Sequence, residues 1–288
     1  MRRLNTEETT ARLHDYRLDQ PRGPGFAFRD QAHNTFYDWH THDYHQLIYA
    51  IAGTTLIETA AGRYLLPAGR AAWIPATTRH RTLVADVEGA SLYFAPAAVA
   101  DALNRVRILV ASPVMREMIL HALRWPLGAS ETDPVAASFF RTLGLMCAEW
   151  LESELPLALP SATHAGIRRA MDCAAADPGR ASLPRVLAAA AMSERSFRRV
   201  FSRETGMTWQ AWLTQARIME AASRLTGGGR VTDVAAQVGY ASLSAFAKAF
   251  RELIGENPAA FRRRIGSADR PQGVDPPAPT GSRRRARL

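Results

Sequence analysis

The sequence predicts an α+β protein of two domains. The N-terminal half reads as an antiparallel β-sandwich or barrel with trailing helices, and the C-terminal half as an all-α domain with two helix-turn-helix units. Three observations carry this reading. A helical pattern occurs twice: Ser193, Phe197, Phe201 and Gly206 are followed, forty-nine positions later, by Ser242, Phe246, Phe250 and Gly255. Residues 26–94 break into short runs rich in Ile, Tyr, Trp, Leu and Thr, punctuated by Gly, Pro and Asp, the signature of a small antiparallel sheet. The charge is also split, with residues 1–160 summing to −2 and 161–266 to +8, while the remaining 267–288 add +3.

The 288 residues suffice for two cores, and 47% of them are apolar, ordinary for a globular chain. No apolar run approaches the ~18 residues of a membrane span. The opening MRRLNTEETTARLHDYR has no apolar stretch of the signal-peptide kind. A cytoplasmic setting is therefore expected, with Cys147 and Cys173, the two cysteines, held as reduced thiols.

In chain order, residues 1–24 are polar without a sustained period and read as a flexible arm. Residues 25–155 hold the strands, such as HQLIYAIAG and RYLLPAG, with Pro67 and Pro75 at strand ends. From 97 the pattern turns helical, through PAAVADALNRVRILV and VMREMILHALRW to VAASFFRTLGLMCAEWLESEL. The last places Phe140, Leu143, Cys147 and Trp150/Leu151 on one stripe, fit to pack under the sheet or to pair subunits in a homodimer. Residues 156–163 form a linker, 164–266 the helical domain, and the Pro-rich, basic 267–288 a disordered tail.

In the helical domain, short alanine-rich helices at 183–190 and 231–238 precede the two repeated helices. A serine caps each repeated helix, two Phe at i, i+4 give it an apolar face, and a glycine ends it. A long helix over 208–225 joins the units, with Trp209 and Trp212 in its core face. With Phe197, Val200 and Phe201 inward, Arg195, Arg198, Arg199 and Ser202 share the outward stripe, beside Ser196. Three arginines near a helix start suit bidentate contact with guanine or phosphate, so double-stranded DNA is the expected partner. The second outward stripe is Leu243, Ser244, Ala245 and Lys248, with Arg251 nearer the backbone. It can touch thymine methyls and phosphates but discriminates bases poorly.

Residues 164–264 resemble the DNA-binding domain of AraC/XylS-type transcription regulators. The resemblance rests on SERSFRRVFSRETGMTWQAWLTQARIMEAASRL and on VTDVAAQVGYASLSAFAKAFRELIGENPAAFRRR, whose closing motif is Gly255, Pro258, Phe261 and Arg262. It implies a bacterial-type, sequence-specific regulator, with RNA polymerase as a further partner. Two departures stand out: residues 189–191 lack the glycine often found in the first turn, and Pro184 sits early in the preceding helix.

A second resemblance lies in the β domain. His40, His42, Gln46 and Gly53 follow the spacing of the first cupin motif, with Gln for Glu. Gly69, Pro75, Thr77 and His80 follow the second, with Thr for the inner Gly. In a strand, His40 and His42 face the same way. A third imidazole from His80 would then complete a site for a divalent transition metal, Gln46 being an optional fourth ligand. The alternative is that these four residues line a small-molecule effector pocket without metal. His45, between the motifs, is expected outward or satisfied by backbone. The expected function is thus a non-enzymatic regulator sensing a small molecule or metal. Its rival is a cupin-type metal-dependent enzyme, a dioxygenase or isomerase with a nucleic-acid-binding appendage. Gln46 in place of an acidic ligand argues against that, as do the few nearby carboxylates, Asp38, Asp43 and Glu58.

Overall fold

The computed structural model describes residues 2–268 apart from 20, 21, 33, 34 and 156; the tail expected to be disordered lies outside them from residue 269. The chain opens with β1 (Arg2–Leu4) and α1 (Thr6–Asp15). Then come β2 (Gly25–Ala32), β3 (Thr35–His40), β4 (His45–Thr59), β5 (Gly62–Pro67), β6 (Arg70–Ile74) and β7 (His80–Phe94). They are followed by β8 (Arg107–Val110), α2 (Pro113–Ala122), α3 (Ala129–Thr132), α4 (Pro134–Trp150), β9 (Glu154–Leu155) and β10 (Ala158–Pro160). The helical domain comprises α5 (Ala165–Ala176), α6 (Leu183–Ala190), α7 (Glu194–Thr205), α8 (Trp209–Thr226), α9 (Val231–Gln237), α10 (Leu243–Ile254) and α11 (Pro258–Ala268).

Strands β4 and β7, fifteen residues each, pair antiparallel along most of their length. Both bend midway. In β4 the register slips between Ala50 and Thr54, where Gly53 takes φ +75°, a left-handed conformation that glycine adopts without a Cβ clash. Beyond the bend the strands change partners. Residues 45–50 of β4 pair with β6 and with the second half of β7, while 54–59 pair with β5 and the first half. β2 joins the second half of β7 and β3 the first. The result is one folded sheet of two facing walls. It is an open version of the expected barrel, because β1 and β9 end the path and β10 ends on β5.

Helices α2 and α4 cover the outer wall. Met115, Ile119, Phe140, Leu143, Cys147 and Leu151 pack there with Leu47, Trp73, Leu92 and Phe94, the stripe expected from helical spacing. Burial pushes the Cys147 thiol up, as suits a packing role.

Three segments depart from expectation. Residues 2–15 are not a loose arm: β1 pairs parallel with β3, and α1 carries a capping box between Asn5 and Glu8. The Thr6 hydroxyl donates to the Asp38 carboxylate at 2.9 Å, fastening the helix to β3. Residues 97–110 are not helical beyond a short 3-10 turn at Pro96–Ala98. Asp101 accepts from the amides of Leu103 and Asn104, both at 3.2 Å, and Asn104 turns to φ +43°. The chain then returns as β8 against β6. Lastly, the expected linker contains an edge strand, since β10 pairs with β5 and buries Leu157 and Leu159.

The helical domain follows the expected plan. Ser193 and Ser242 cap α7 and α10, Thr208 caps α8, and Gly206 and Gly255 end α7 and α10 in left-handed conformations. Phe197, Phe201, Phe246, Phe250 and Phe261 are fully buried, and Trp209 and Trp212 stack in the same core. Contacts between the domains are specific. The Trp212 indole donates to the Pro160 carbonyl at 3.4 Å, and the Gln215 amide donates to the Ala158 carbonyl. Arg70, beside the β5–β6 turn, donates to the Ile254 carbonyl at 3.0 Å, at the end of α10.

The glycine missing from the first turn has a visible consequence. Ala191 is held at φ +53°, whereas the second turn places Gly239 at φ +86°. An alanine in this region costs roughly 1–2 kcal/mol, part of which a glycine gives back through unfolded-chain entropy. Ala191→Gly should therefore raise stability by about 0.5–1 kcal/mol, read as a higher urea midpoint with an unchanged slope.

Candidate functional site

On α7 the sequence-predicted residues share an outer face. Arg195, Arg198, Arg199 and Ser202 are exposed and Ser196 is half-buried at the helix start. They are not equivalent. Arg198 is held by Glu194 at 2.8 Å, one turn earlier, while Arg195 and Arg199 have no ion-pair partner among the described residues. Guanidinium groups without an internal carboxylate are available to phosphates and base edges. On α10, Leu243, Ser244, Ala245, Lys248 and Arg251 are exposed. The Ser244 hydroxyl meets that of Ser242 at 2.7 Å, and Lys248 lies 3.9 Å from Glu252. Leu243, at 49% exposure, is an apolar group presented to solvent at the start of a helix.

The orientation of α7 is tied to the neighbouring helix. Glu204 accepts from the Thr163 amide (2.8 Å), the Thr163 hydroxyl (2.9 Å) and the His164 amide (2.8 Å), joining the end of α7 to the start of α5. These bonds, led by the His164 amide, hold its carboxyl below the usual range.

In the β domain the three histidines converge. The His40 and His80 rings have centroids 4.2 Å apart, His42 and His80 5.1 Å, and His40 and His42 6.3 Å. Each Nδ1 lies on a backbone carbonyl: His40 on Asp38 (2.7 Å), His42 on Tyr44 (2.7 Å) and His80 on Thr78 (2.8 Å). A carbonyl only accepts, so each Nδ1 carries the hydrogen and each Nε2 a lone pair. Burial drives all three below the ordinary imidazole range, His42 to about 4. They are neutral acceptors at pH 7.

Gln46 bridges His42 Nε2, at 3.0 Å, and the Tyr93 hydroxyl, at 2.8 Å. The Gln46 carboxamide is placed with its oxygen toward His42 and its N–H toward Tyr93. Because a neutral Nε2 only accepts, the chemistry of the contact requires the two ends exchanged, with the N–H donating to His42 and the oxygen accepting from Tyr93. Among the described residues no three His, Cys, Asp or Glu side chains are placed to hold a metal ion. The physical reason is that His42 Nε2 is taken up by Gln46, leaving two imidazoles where a closed site needs three or four donors. The four residues therefore do not fit the expected metal centre, and Gln46 acts as a bridge within the cluster. His45 is buried, with its Nδ1 accepting from the Ala76 amide at 3.0 Å, so it is satisfied by backbone as expected.

Between the two walls lies a cavity open to solvent, roofed by α1 and the turn after it. His40, His80 and Gln46 line it; His42 sits behind them. Sequence reasoning missed Asp30, Tyr93 and the contributions of Arg12 and Tyr16, which also line it. Signals existed. The Asn5–Glu8 spacing announces a capped helix, and Phe26, Phe28 and Asp30 alternate with Ala27 and Arg29 as one face of a strand.

A pocket-bearing β domain docked to tandem helix-turn-helix units defines a transcription regulator of the helix-turn-helix class. Family models match both parts of the chain. A helix-turn-helix domain model matches residues 186–264, and an AraC-like ligand-binding domain model matches 23–148. The HTH-type transcriptional regulator NimR of Escherichia coli K12 is 30% identical over 245 residues, spanning 82% of this chain and 86% of that protein. Among solved structures, the DNA-binding domain of AdpA in complex with a target DNA is 31% identical, over 38% of this chain and 98% of that one, with TM-score 0.34. Unsaturated fatty acid-bound ToxT of Vibrio cholerae is 10% identical, over 87% and 98%, with TM-score 0.36. The chain belongs to the AraC-type family of transcription regulators, with an AraC-like ligand-binding domain ahead of its DNA-binding helices. Among the described residues no helix is long and apolar enough to cross a membrane.

Proposed function

We propose that this chain is a sequence-specific regulator whose β domain binds a small-molecule effector between the sheet walls and whose DNA reading is led by α7. The observation that carries the proposal is the convergence of His40, His80 and Gln46 on one open cavity, in a domain bonded to the connecting helix α8 and to the end of α10. Buried polar side chains cost stability unless something uses them, and the Nε2 lone pairs of His40 and His80, both lining the cavity, have no partner among the described residues. On the DNA side, Arg195 and Arg199 would read bases. Arg198, Ser196 and Ser202 would position α7, while Leu243, Ser244, Ala245, Lys248 and Arg251 would meet methyls and phosphates. The enzyme alternative is the weaker reading: Gln46 is committed to His42 and Tyr93, and no paired acid and base accompany it among the described residues. Contact with RNA polymerase, a cytoplasmic setting and a homodimer through the outer face of α4, where Val135 and Leu145 are 66% and 71% exposed, complete the reading.

The test is an effector screen by thermal shift on the full chain, followed by operator binding with and without each hit. His80→Ala should abolish the effector's influence on DNA binding and leave the affinity of the unliganded protein within about twofold, because additivity holds for distant sites. A hit that still modulates DNA binding in His80→Ala would place the effector elsewhere.

A further inference from the structure

We infer that the cavity takes an organic cation carrying an aromatic ring, an aryl ammonium or amidinium; this rests on reading the cavity as the effector site. Side chains along β2 alternate. Arg29 turns outward to pair with Glu88, whereas Phe28 and Asp30 turn into the cavity. Among the described residues no hydrogen bond or ion pair engages the Asp30 carboxylate. Burial raises its pKa, and the charge of Arg12 offsets this only in part. A half-buried carboxylate without a donor is a group that a ligand's N–H can satisfy.

The surroundings point the same way. Phe28 is stacked between Tyr16 and Tyr93, with centroids at 4.5 and 5.6 Å, so ring faces lie beside the carboxylate. His40 and His80 line the same space and, with Nδ1 committed to backbone, offer only lone pairs. The one cationic side chain lining the cavity among the described residues is Arg12, on the roof helix, with its guanidinium 5.9 Å from the centre of the Tyr37 ring. An anionic ligand would meet Asp30 and two imidazole lone pairs. A neutral hydroxyl could satisfy one of these acceptors. A cationic N–H group can satisfy several at once, with its ring against the aromatic wall.

Three probes of similar shape and different charge separate the cases: benzamidine, benzyl alcohol and benzoate, titrated calorimetrically into the full-length protein, with zinc chloride as a fourth titrant. Benzamidine should bind about tenfold or more tighter than the other two, the range of a charge-assisted hydrogen bond in a desolvated site. Asp30→Asn should remove that preference without lowering the melting temperature of the unliganded protein, since it deletes a desolvated charge; Asp30→Ser serves if the amide disturbs folding. Equal or tighter binding of benzoate or benzyl alcohol would overturn the inference, as would benzamidine affinity untouched in both variants. Zinc binding that His80→Ala abolishes and that excludes benzamidine would also overturn it, in favour of a metal. If none of the three organic probes binds saturably, the effector-site reading itself fails and the inference with it.

Discussion

Arg195→Ala and Arg199→Ala should each weaken binding to the cognate operator by about ten- to a hundredfold, roughly 1–3 kcal/mol. Each should also relax base preference at one position. The argument begins with charge availability. Of the α7 arginines on the outer stripe, Arg198 is already paired with Glu194 at 2.8 Å, so its removal exchanges one surface ion pair for solvent. Arg195 and Arg199 give up no internal partner on meeting DNA, and both are exposed. A guanidinium reads guanine through two parallel N–H donors, a geometry that alanine cannot replace. Lys248 makes a useful contrast. Its loss should weaken binding to all sequences alike and lower the salt slope by about one phosphate contact. Parallel binding isotherms on a cognate site and on single-base variants, at several salt concentrations, measure all three. Altered base preference in Lys248→Ala, with none in the arginine variants, would reverse the roles of the two helices.

Acidification should destabilise the β domain, chiefly between about pH 6.5 and pH 4. An unfolded histidine binds its proton near 6.5, whereas buried His42 does so only near 4. Between these values the unfolded chain holds a proton that the folded chain refuses, so stability falls as pH falls. At about 1.4 kcal/mol per pH unit, His42 alone accounts for a loss of about 3 kcal/mol across that window. His40 and His80, also shifted down by burial, add in the same direction. This is a sizeable share of a typical folding free energy of ~5–15 kcal/mol. Urea midpoints measured from pH 7.5 to pH 4 check it. His42→Gln should lower stability at neutral pH and flatten the slope below pH 6.5. A slope identical to that of the parent chain would show that other groups carry the acid sensitivity.

Most of the helical domain was legible without coordinates because its signals are local. Caps, Phe pairs at i, i+4 and closing glycines act within a turn or two, so Ser193, Phe197, Phe201 and Gly206 announce a helix wherever it packs. The inward–outward division of α7 and α10 follows from the same 3.6-residue period. The stripe on α4 was equally readable. The β domain was legible as a class, and His40, His80 and Gln46 as cavity residues, because motif spacing carried them.

What tertiary structure alone decided lies where contacts are distant in sequence. The split of β4 and β7 between two walls depends on bends at which each strand changes partners, and no window of sequence contains both partners. Asp30 and Tyr93 meet in one cavity because β2 and β7, some sixty residues apart, pair there; either alone reads as an ordinary strand residue. Residues 2–15 carry a local capping signal in Asn5 and Glu8, but their place beside the cavity depends on β1 pairing with β3 and on Thr6 donating to Asp38, contacts that the segment does not encode. The metal expectation turns on the same kind of distant contact. Spacing places His40, His42 and His80 near one another, but whether three Nε2 lone pairs share a point depends on what else reaches them. Gln46, held from its far side by Tyr93, takes one of the three away. By itself the sequence determined a tandem helix-turn-helix reader joined to a β domain. Only the folded sheet decided that distant acceptors and rings come together around one cavity, because the strands that carry them pair across some sixty residues.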